Sequence, residues 1–377
     1  MLLHTKNIST IREDSWTKMI NWILKKIYIR KIPKGNNRKV FVGMSGGVDS
    51  SVSAAILKER GYDVHGVFIK VWQPDFMKCT WQEDKRDAMR ICAQLGIPFE
   101  VLNLEKEYKE NVVDYMISEY KKGRTPNPDV MCNAYVKFGG FYDYARKKSS
   151  DFVATGHYAQ INNKRLLKGK DPKKDQSYFV WQIRKEQLDH IIFPIGHIPK
   201  KNVRKIAKAY SLYTANKKDS QGLCFIGHVN LKDFLSEFVE LVPGDVLNTS
   251  GEVIGEHYGA LMYTEGQREG FKVNNASEPF FVVSKDIENN NIVVSRVKKN
   301  ISINPDNILL KDSVIRRDLP GACMANIRYH GNDINCIIKK VDGDNIECKL
   351  ELKDDLIAPG QSVVLYDSEE CIAGGIV

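Results

Sequence analysis

Three stretches of the chain carry residue types that could do chemistry. The first, Gly43-Met-Ser-Gly-Gly-Val-Asp-Ser-Ser51, follows a short apolar run, Lys39 to Met44, and precedes a helical pattern from about Ser50 to Arg60. Small residues here let the backbone approach a ligand, and successive N–H groups at a helix start form a nest for an anion. Ser45, Ser50 and Ser51 add hydroxyl donors. No Gly-Lys-Ser/Thr is present, and Gly-x-Gly-x-x-Gly fails as well. The second stretch is Arg124-Thr-Pro-Asn-Pro-Asp-Val-Met-Cys-Asn133, where Pro126 and Pro128 stiffen a turn ahead of a helix predicted from about Asn133. The spacing of Asp129 and Cys132 puts both on one side of a helical turn, and a thiol near a helix start is shifted toward thiolate. The third, Lys217-Lys-Asp-Ser-Gln-Gly-Leu-Cys-Phe-Ile226, sets Cys224 after a glycine and close to two lysines that would favour a thiolate. Taken alone, each cysteine reads more commonly as a buried core residue, Cys132 beside a helix-capping Asp.

The Ser-Gly-Gly-x-Asp-Ser core of the first stretch resembles the signature of the ATP pyrophosphatases, which cleave ATP between its α and β phosphates. Together with that loop, the two cysteine stretches resemble the tRNA-specific 2-thiouridylase family. Ala154-Thr-Gly-His-Tyr158, Lys174-Asp-Gln-Ser-Tyr-Phe179, Gly266-Gln-Arg-Glu-Gly270 and Ala358-Pro-Gly-Gln-Ser362 extend the likeness from about residue 39 to the C-terminus.

The resemblance implies that ATP binds at Gly43, Met44, Ser45, Gly46, Gly47, Val48, Asp49 and Ser50, with Ile69 and Gly156 lining the nucleotide site. Family members often carry Met where Ile69 stands. Asn127, Pro128 and Asp129 would meet a flipped-out base. Lys174, Asp175, Gln176, Arg328 and Tyr329 would contact tRNA, while His157 and Gln361 help to recognise it. The implied reaction is ATP-dependent 2-thiolation of the wobble uridine of the lysine, glutamate and glutamine tRNAs. Cys224 would carry a persulfide, Cys132 would attack it to leave a disulfide, and Asp129 would move protons. ATP with Mg²⁺, held in part by Asp49, is the expected cofactor set, without zinc or an iron–sulfur cluster. Expected partners are tRNA and a sulfur donor, either a cysteine desulfurase or a relay protein, with the chain monomeric when free. Two other readings stay open on these motifs. One is a different ATP pyrophosphatase, either another tRNA thiolase or a GMP-synthetase-like amidotransferase. The other is a non-catalytic RNA-binding protein.

These residues need a scaffold, and the patterning supplies one. Strands at Lys39–Met44, Val64–Val71, Phe99–Leu104 and Asp151–Thr155 alternate with helices, one of them from about Glu83 to Leu95, which predicts an α/β fold with a doubly wound parallel sheet. Gly61 and Gly96 stand where helices should stop. After about residue 210 short segments punctuated by Pro and Gly suggest a small mixed domain. From about 305, β-branched runs separated by turns suggest a β-barrel. The expected division is a basic extension at 1–38, an ATP domain at 39–215, a small central α/β domain at 216–304 and a C-terminal barrel at 305–377.

With 377 residues the chain has room for several domains, and its composition is that of a globular protein. The net charge is +9, of which +7 sits in residues 1–38, so a polyanion would have to bind local basic patches of the body. Lys and Arg cluster at 121–124, 146–148, 164–174, 200–208 and 217–218. The extension could form a basic amphipathic helix over residues 16–27, act as a transit peptide or be dispensable. Eight cysteines without a Cys-x-x-Cys pair point to reduced thiols and a cytoplasmic location, with no membrane span.

Overall fold

The computed structural model describes residues 23–24, 27–76, 81–219, 231–274, 278–298, 302–352 and 355–377. Cys79, Cys224 and most of the basic extension lie outside these residues.

The first sheet is parallel throughout, in the order β3-β2-β1-β4-β7, formed by β1 (Lys39–Gly43), β2 (Asp63–Lys70), β3 (Phe99–Asn103), β4 (Phe152–Ala154) and β7 (Ile191–Ile192). This is the doubly wound sheet that the alternating pattern predicts. Helix α1 (Val48–Glu59) follows β1, and α2 (Trp81–Leu95) follows β2. Gly61 (φ +79°) and Gly96 (φ +59°) adopt the left-handed conformation past their ends, as the stop signals required.

Two helical runs follow β3. The first, α3, spans residues 105–121 and has a π-helical centre at Lys109–Asp114. The second, α4, spans residues 128–147 and is π-helical over Cys132–Gly140. It begins at Pro128, five residues before the predicted start at Asn133. Asn127 caps it by accepting the Val130 N–H at 3.2 Å, and Pro128 occupies the first position, where its missing N–H costs nothing. Helix α5 (Lys200–Ala209) packs beside α1.

The central sheet is built from β8 (Gly244–Leu247), β9 (Val253–His257), β10 (Lys272–Val273), β11 (Phe281–Asp286) and β12 (Asn291–Ser295) in the order β10-β9-β8-β12-β11, and has its own small core around Val246, Tyr263, Val282 and Ile292. Six later strands form the barrel: β13 (Ile308–Ile315), β16 (Asn345–Leu350), β15 (Ile334–Asp342), β14 (Ala322–Asn326), β17 (Ser362–Asp367) and β18 (Glu370–Ile376). They close through β13–β18 pairing. A hairpin, β5 (Ala159–Asn162) and β6 (Arg165–Lys168), leaves the first domain and pairs with β18 at Glu370↔Leu167.

That junction is tightly packed. Gly374 of β18 admits the Trp181 ring so closely that a Cβ there would fall 2.7 Å from it. The buried Arg316 guanidinium reaches across to the carbonyls of Trp181 and Ile183, the latter at 2.7 Å. The barrel is thereby fixed to the domain that carries the glycine loop. No helix among the described residues is long and apolar enough to cross a membrane.

Candidate active site

The glycine loop joins β1 to α1 at the carboxyl edge of the parallel sheet, where open α/β sheets place their ligands. Gly46 has φ +71°, and a Cβ on it would fall 2.4 Å from the Asp84 carbonyl oxygen, so glycine is required on both counts. Gly47 caps α1 without a side-chain bond to the first turn. Ser45 and Ser50 tie the loop internally, the Ser45 N–H donating to Ser50 Oγ at 3.2 Å. Ser51, expected as a ligand donor, is fully buried. Its hydroxyl donates to Gly47 O at 2.7 Å and accepts from Thr214 at 3.0 Å, so it shapes the loop instead.

Gly156 follows β4 and touches this helix start backbone to backbone: a Cβ there would lie 2.8 Å from the Ser50 nitrogen. Met44 and Val48 are buried, and Ile69 lies in the core with 4% of its surface exposed. The loop therefore has what a phosphate requires: backbone donors at a helix start and side chains that stay out of the way. Among the described residues no three His, Cys, Asp or Glu groups converge on a metal position. A Mg²⁺ at Asp49 would therefore complete its shell from phosphate and water.

Asp49 is the charged centre of the site. Its Oδ1 accepts from the Tyr158 hydroxyl at 2.7 Å, and both of its oxygens accept from Lys200 Nζ, at 2.8 and 2.7 Å. Burial, then the neighbouring Asp49 carboxylate, push the Tyr158 phenol far above its ordinary range, so it remains a neutral donor. Lys200 also meets Asp219 at 2.9 Å, and Arg204 and Lys174 converge on the same carboxylate. Burial opposes the Asp219 charge, but Lys200 and Lys174 overcome it and hold its pKa below the usual value. Sequence reasoning missed Lys200, Asp219 and the Asp49 partnership of Tyr158. The signal available was a lysine directly after Pro199, at the first turn of a helix.

Lys217, expected as a counter-charge to Cys224, bridges Asp84 at 2.8 Å and Asp87 at 2.7 Å on α2, while Cys224 itself lies outside the described residues. Other members of the basic clusters are also spent internally: Lys164 pairs with Asp189, Lys168 with Asp333 and Lys148 with Glu100.

The turn bearing Asn127, Pro128 and Asp129 is gripped from outside its own domain. The Thr125 N–H donates to Pro359 O at 2.7 Å, and its hydroxyl lies 3.3 Å from that of Thr264 in the central domain. Arg124 donates to Val377 O at 3.0 Å. Cys132 is fully buried, one turn into α4. The next residue, Asn133, donates to Phe179 O at 3.0 Å. The Phe179 ring lies 4.5 Å from that of Tyr329, which stacks on His330 at 3.8 Å. The structure thus connects Tyr329 of the barrel to the Cys132 helix through Phe179.

Within Lys174-Asp175-Gln176, only Lys174 offers a positive charge. Asp175 accepts the Gly169 and Ser177 N–H groups at 2.7 and 3.0 Å, and burial raises its pKa. Gln176 clasps the Tyr158 backbone in both directions, at 3.0 and 2.8 Å. These two residues hold the loop that presents Lys174. His157 is 8% exposed, bonded to Thr155 Oγ1 at 2.7 Å, and lies between Phe138 and Phe193. Burial, then Lys137, drive its pKa well below the ordinary value, so it is neutral. On the barrel side Gln361, Arg328, Lys298, Gln267 and Thr264 line a cleft of about 320 Å³ beside the Thr125 turn. Arg328 also pairs with Asp355.

The fold and loop define a nucleotide-binding α/β domain coupled to a central sheet and a barrel. Residues 38–228 match the model of the tRNA methyl transferase HUP domain, 232–296 that of the tRNA methyl transferase PRC-barrel domain, and 272–377 that of the aminomethyltransferase beta-barrel domain. The chain is 45% identical over 352 residues to the tRNA-specific 2-thiouridylase MnmA of Bacillus velezensis, covering 90% of this chain and 94% of that one. The corresponding protein of Bacillus subtilis is 43% identical over 350 residues, with the same coverage. That of Listeria innocua is 44% identical over 349 residues. The chain belongs to the tRNA-specific 2-thiouridylase family.

Proposed function

We propose that this protein converts the wobble uridine of the lysine, glutamate and glutamine tRNAs to 2-thiouridine, consuming ATP and releasing AMP and pyrophosphate. The observation that carries this reading is the ion pairing of Asp219 with Lys200, which itself grips Asp49 of the glycine loop. Asp219 is five residues before Cys224, so the root of the sulfur-carrying stretch is tied to the nucleotide loop.

The uridine C2 oxygen is a poor leaving group. Its attack on the α phosphate forms a C2–O–AMP linkage and expels pyrophosphate, after which the oxygen departs as part of AMP. Asp49, together with phosphate oxygens, would hold Mg²⁺, which neutralises charge on the departing pyrophosphate. The terminal sulfur of a Cys224 persulfide attacks C2 and displaces AMP. Cys132 then attacks the Cys224 sulfur, breaking the sulfur–sulfur bond and leaving 2-thiouridine and a Cys132–Cys224 disulfide that a reductant reopens. Asp129, at the start of α4, moves the protons. Sulfur reaches Cys224 from a cysteine desulfurase or a relay protein.

In this reading residues 39–215 hold ATP, 216–304 carry Cys224, 305–377 grip the RNA and 1–38 are a basic extension. Lys174, Arg328, Tyr329 and Gln361 meet the tRNA, and Asn127, Pro128 and Asp129 meet its extruded base. Asp175, Gln176 and His157 support them from beneath. The enzyme works in the cytoplasm as a single chain that binds tRNA. Methyl transfer, named in the domain labels, gives no use to an ATP loop or to two cysteines.

The test is nucleoside mass spectrometry of unmodified tRNA incubated with the protein, Mg-ATP and a persulfide donor. New 2-thiouridine should require ATP, Asp49 and Cys224. AMP released without thiolated base would remove the sulfur step, and neither product with any of these tRNAs would remove the reading.

A further inference from the structure

Loops that bind nucleotide phosphates through Gly-Lys-Ser/Thr carry their own ammonium. This loop has none, although the charge it must hold is the same. The structure supplies a lysine from elsewhere in the chain. Lys200 is the first residue of α5, and its Nζ lies within 2.9 Å of three carboxylate oxygens: Asp49 Oδ1, Asp49 Oδ2 and Asp219 Oδ1. Its side chain is 11% exposed, and its backbone N–H is fixed by Asp171 Oδ2 at 2.9 Å. All three protons of the ammonium have carboxylate partners.

We propose that Lys200 binds the β and γ phosphates of ATP, and the pyrophosphate that leaves, with Asp49 and Asp219 as its resting partners. This assignment rests on the ATP reading of the glycine loop. Removing one partner of a half-buried ion pair normally leaves an uncompensated charge. Here neither acid is stranded when Lys200 turns to phosphate. Arg204 and Lys174 remain on Asp219. Asp49 keeps the Tyr158 hydroxyl and gains the Mg²⁺ that accompanies the nucleotide. The exchange therefore leaves each acid with a partner.

The other cations nearby are committed differently. Lys217 is held by Asp84 and Asp87 of α2. Arg204 clamps the Ala215 and Lys217 carbonyls at 3.3 and 3.0 Å as well as Asp219, so it is part of the wall. Among the described residues, Lys200 is the cation that touches the loop's own acid.

The experiment is equilibrium binding of ATP, inorganic pyrophosphate and AMP, each with Mg²⁺, to the full chain and to Lys200→Gln and Lys200→Arg. A charge-assisted phosphate contact corresponds to about a tenfold to hundredfold change in affinity. Lys200→Gln should lose that much for ATP and pyrophosphate while AMP changes less than about threefold. Lys200→Arg, which preserves the charge and both ion pairs, should recover part of the loss, and it keeps the test open if the Gln variant does not fold. Equal weakening of ATP and AMP would make Lys200 a structural prop and overturn the assignment. Unchanged pyrophosphate affinity in both variants would overturn it as well. If the unaltered chain binds neither ATP nor pyrophosphate, the ATP reading itself fails, an outcome separate from the other two.

Discussion

The nucleotide loop is held by ion pairs and hydroxyl bonds from its own domain: Lys200 and Tyr158 on Asp49, and Ser51 on the Gly47 carbonyl. The Cys132 turn, in contrast, is held not only by Glu119 of its own domain, which pairs with Arg124, but by groups from the other two domains: the Pro359 and Val377 carbonyls of the barrel and the Thr264 hydroxyl of the central domain. On the proposed reading, activation of the uridine oxygen and delivery of sulfur are therefore mechanically separable. The first should survive damage to the domain contacts, and the second should not.

The largest effect should come from the loop's charge. Asp49→Ala removes the expected Mg²⁺ ligand and the bidentate partner of Lys200, and should lower ATP-dependent thiolation by about 10²–10³-fold, the scale of losing a group that stabilises transition-state charge. Initial rates of AMP and 2-thiouridine formation should fall together. A variant that still released AMP at the normal rate would place the nucleotide elsewhere.

Arg316→Ala tests the barrel's attachment. Its guanidinium is buried and donates to Trp181, Ile183 and Cys371 carbonyls, so the truncation leaves those acceptors dry. A loss of about 2–4 kcal/mol in unfolding free energy is expected, read from the denaturant midpoint. Mg-ATP affinity at low temperature should stay within about threefold, because the loop does not depend on that junction. A matching collapse of ATP binding would erase the separation between the two regions.

Gly360→Val acts on the turn alone. Gly360 has φ +89°, and a Cβ there would sit 3.0 Å from Arg124 Cβ and the Thr125 nitrogen, so the side chain must push the turn ahead of Cys132 aside. A misplacement of this kind costs up to about 10²-fold in rate. Thiolation should drop about tenfold to a hundredfold, with ATP affinity unchanged. Equal rates would show that the barrel's grip on the turn is incidental.

The same contrast explains what the sequence revealed. The loop from Gly43 to Ser51 was legible because its chemistry is local, with glycines, hydroxyls and Asp49 packed into nine residues. Lys200 was not, because it lies 151 residues from Asp49, and its place directly after Pro199 marks a helix start without naming its partner. The parallel sheet was legible from alternating patterns. The hairpin at 159–168 that joins the barrel was not, since its pairing with β18 is a tertiary choice. The start of α4 was placed five residues late because two prolines read as a turn, while Asn127 in fact caps a helix with proline at its first position. The pairing of Lys217 with Asp84 and Asp87 was not legible either, because those acids lie some 130 residues away on α2.

His157 gives the smallest and most discriminating test, because the family resemblance places it among the groups that recognise tRNA and the structure buries it. In the unfolded chain its imidazole takes a proton near pH 6.5, whereas burial, then Lys137, keep the folded one neutral well below that value. Below pH 6.5 the unfolded state therefore holds more protons. Stability attributable to His157 is fully present above that pH and is lost as the pH falls, by at most about 1.4 kcal/mol per pH unit. His197 and His257 are shifted in the same direction, so the acid limb has other contributors. Urea unfolding at pH 7.0 and 5.5 should show the His157→Gln protein losing about 1 kcal/mol less than the unaltered chain over that interval. Identical losses would mean that His157 titrates as an exposed imidazole does, which would return it to the RNA-facing surface and move the boundary between the two regions with it.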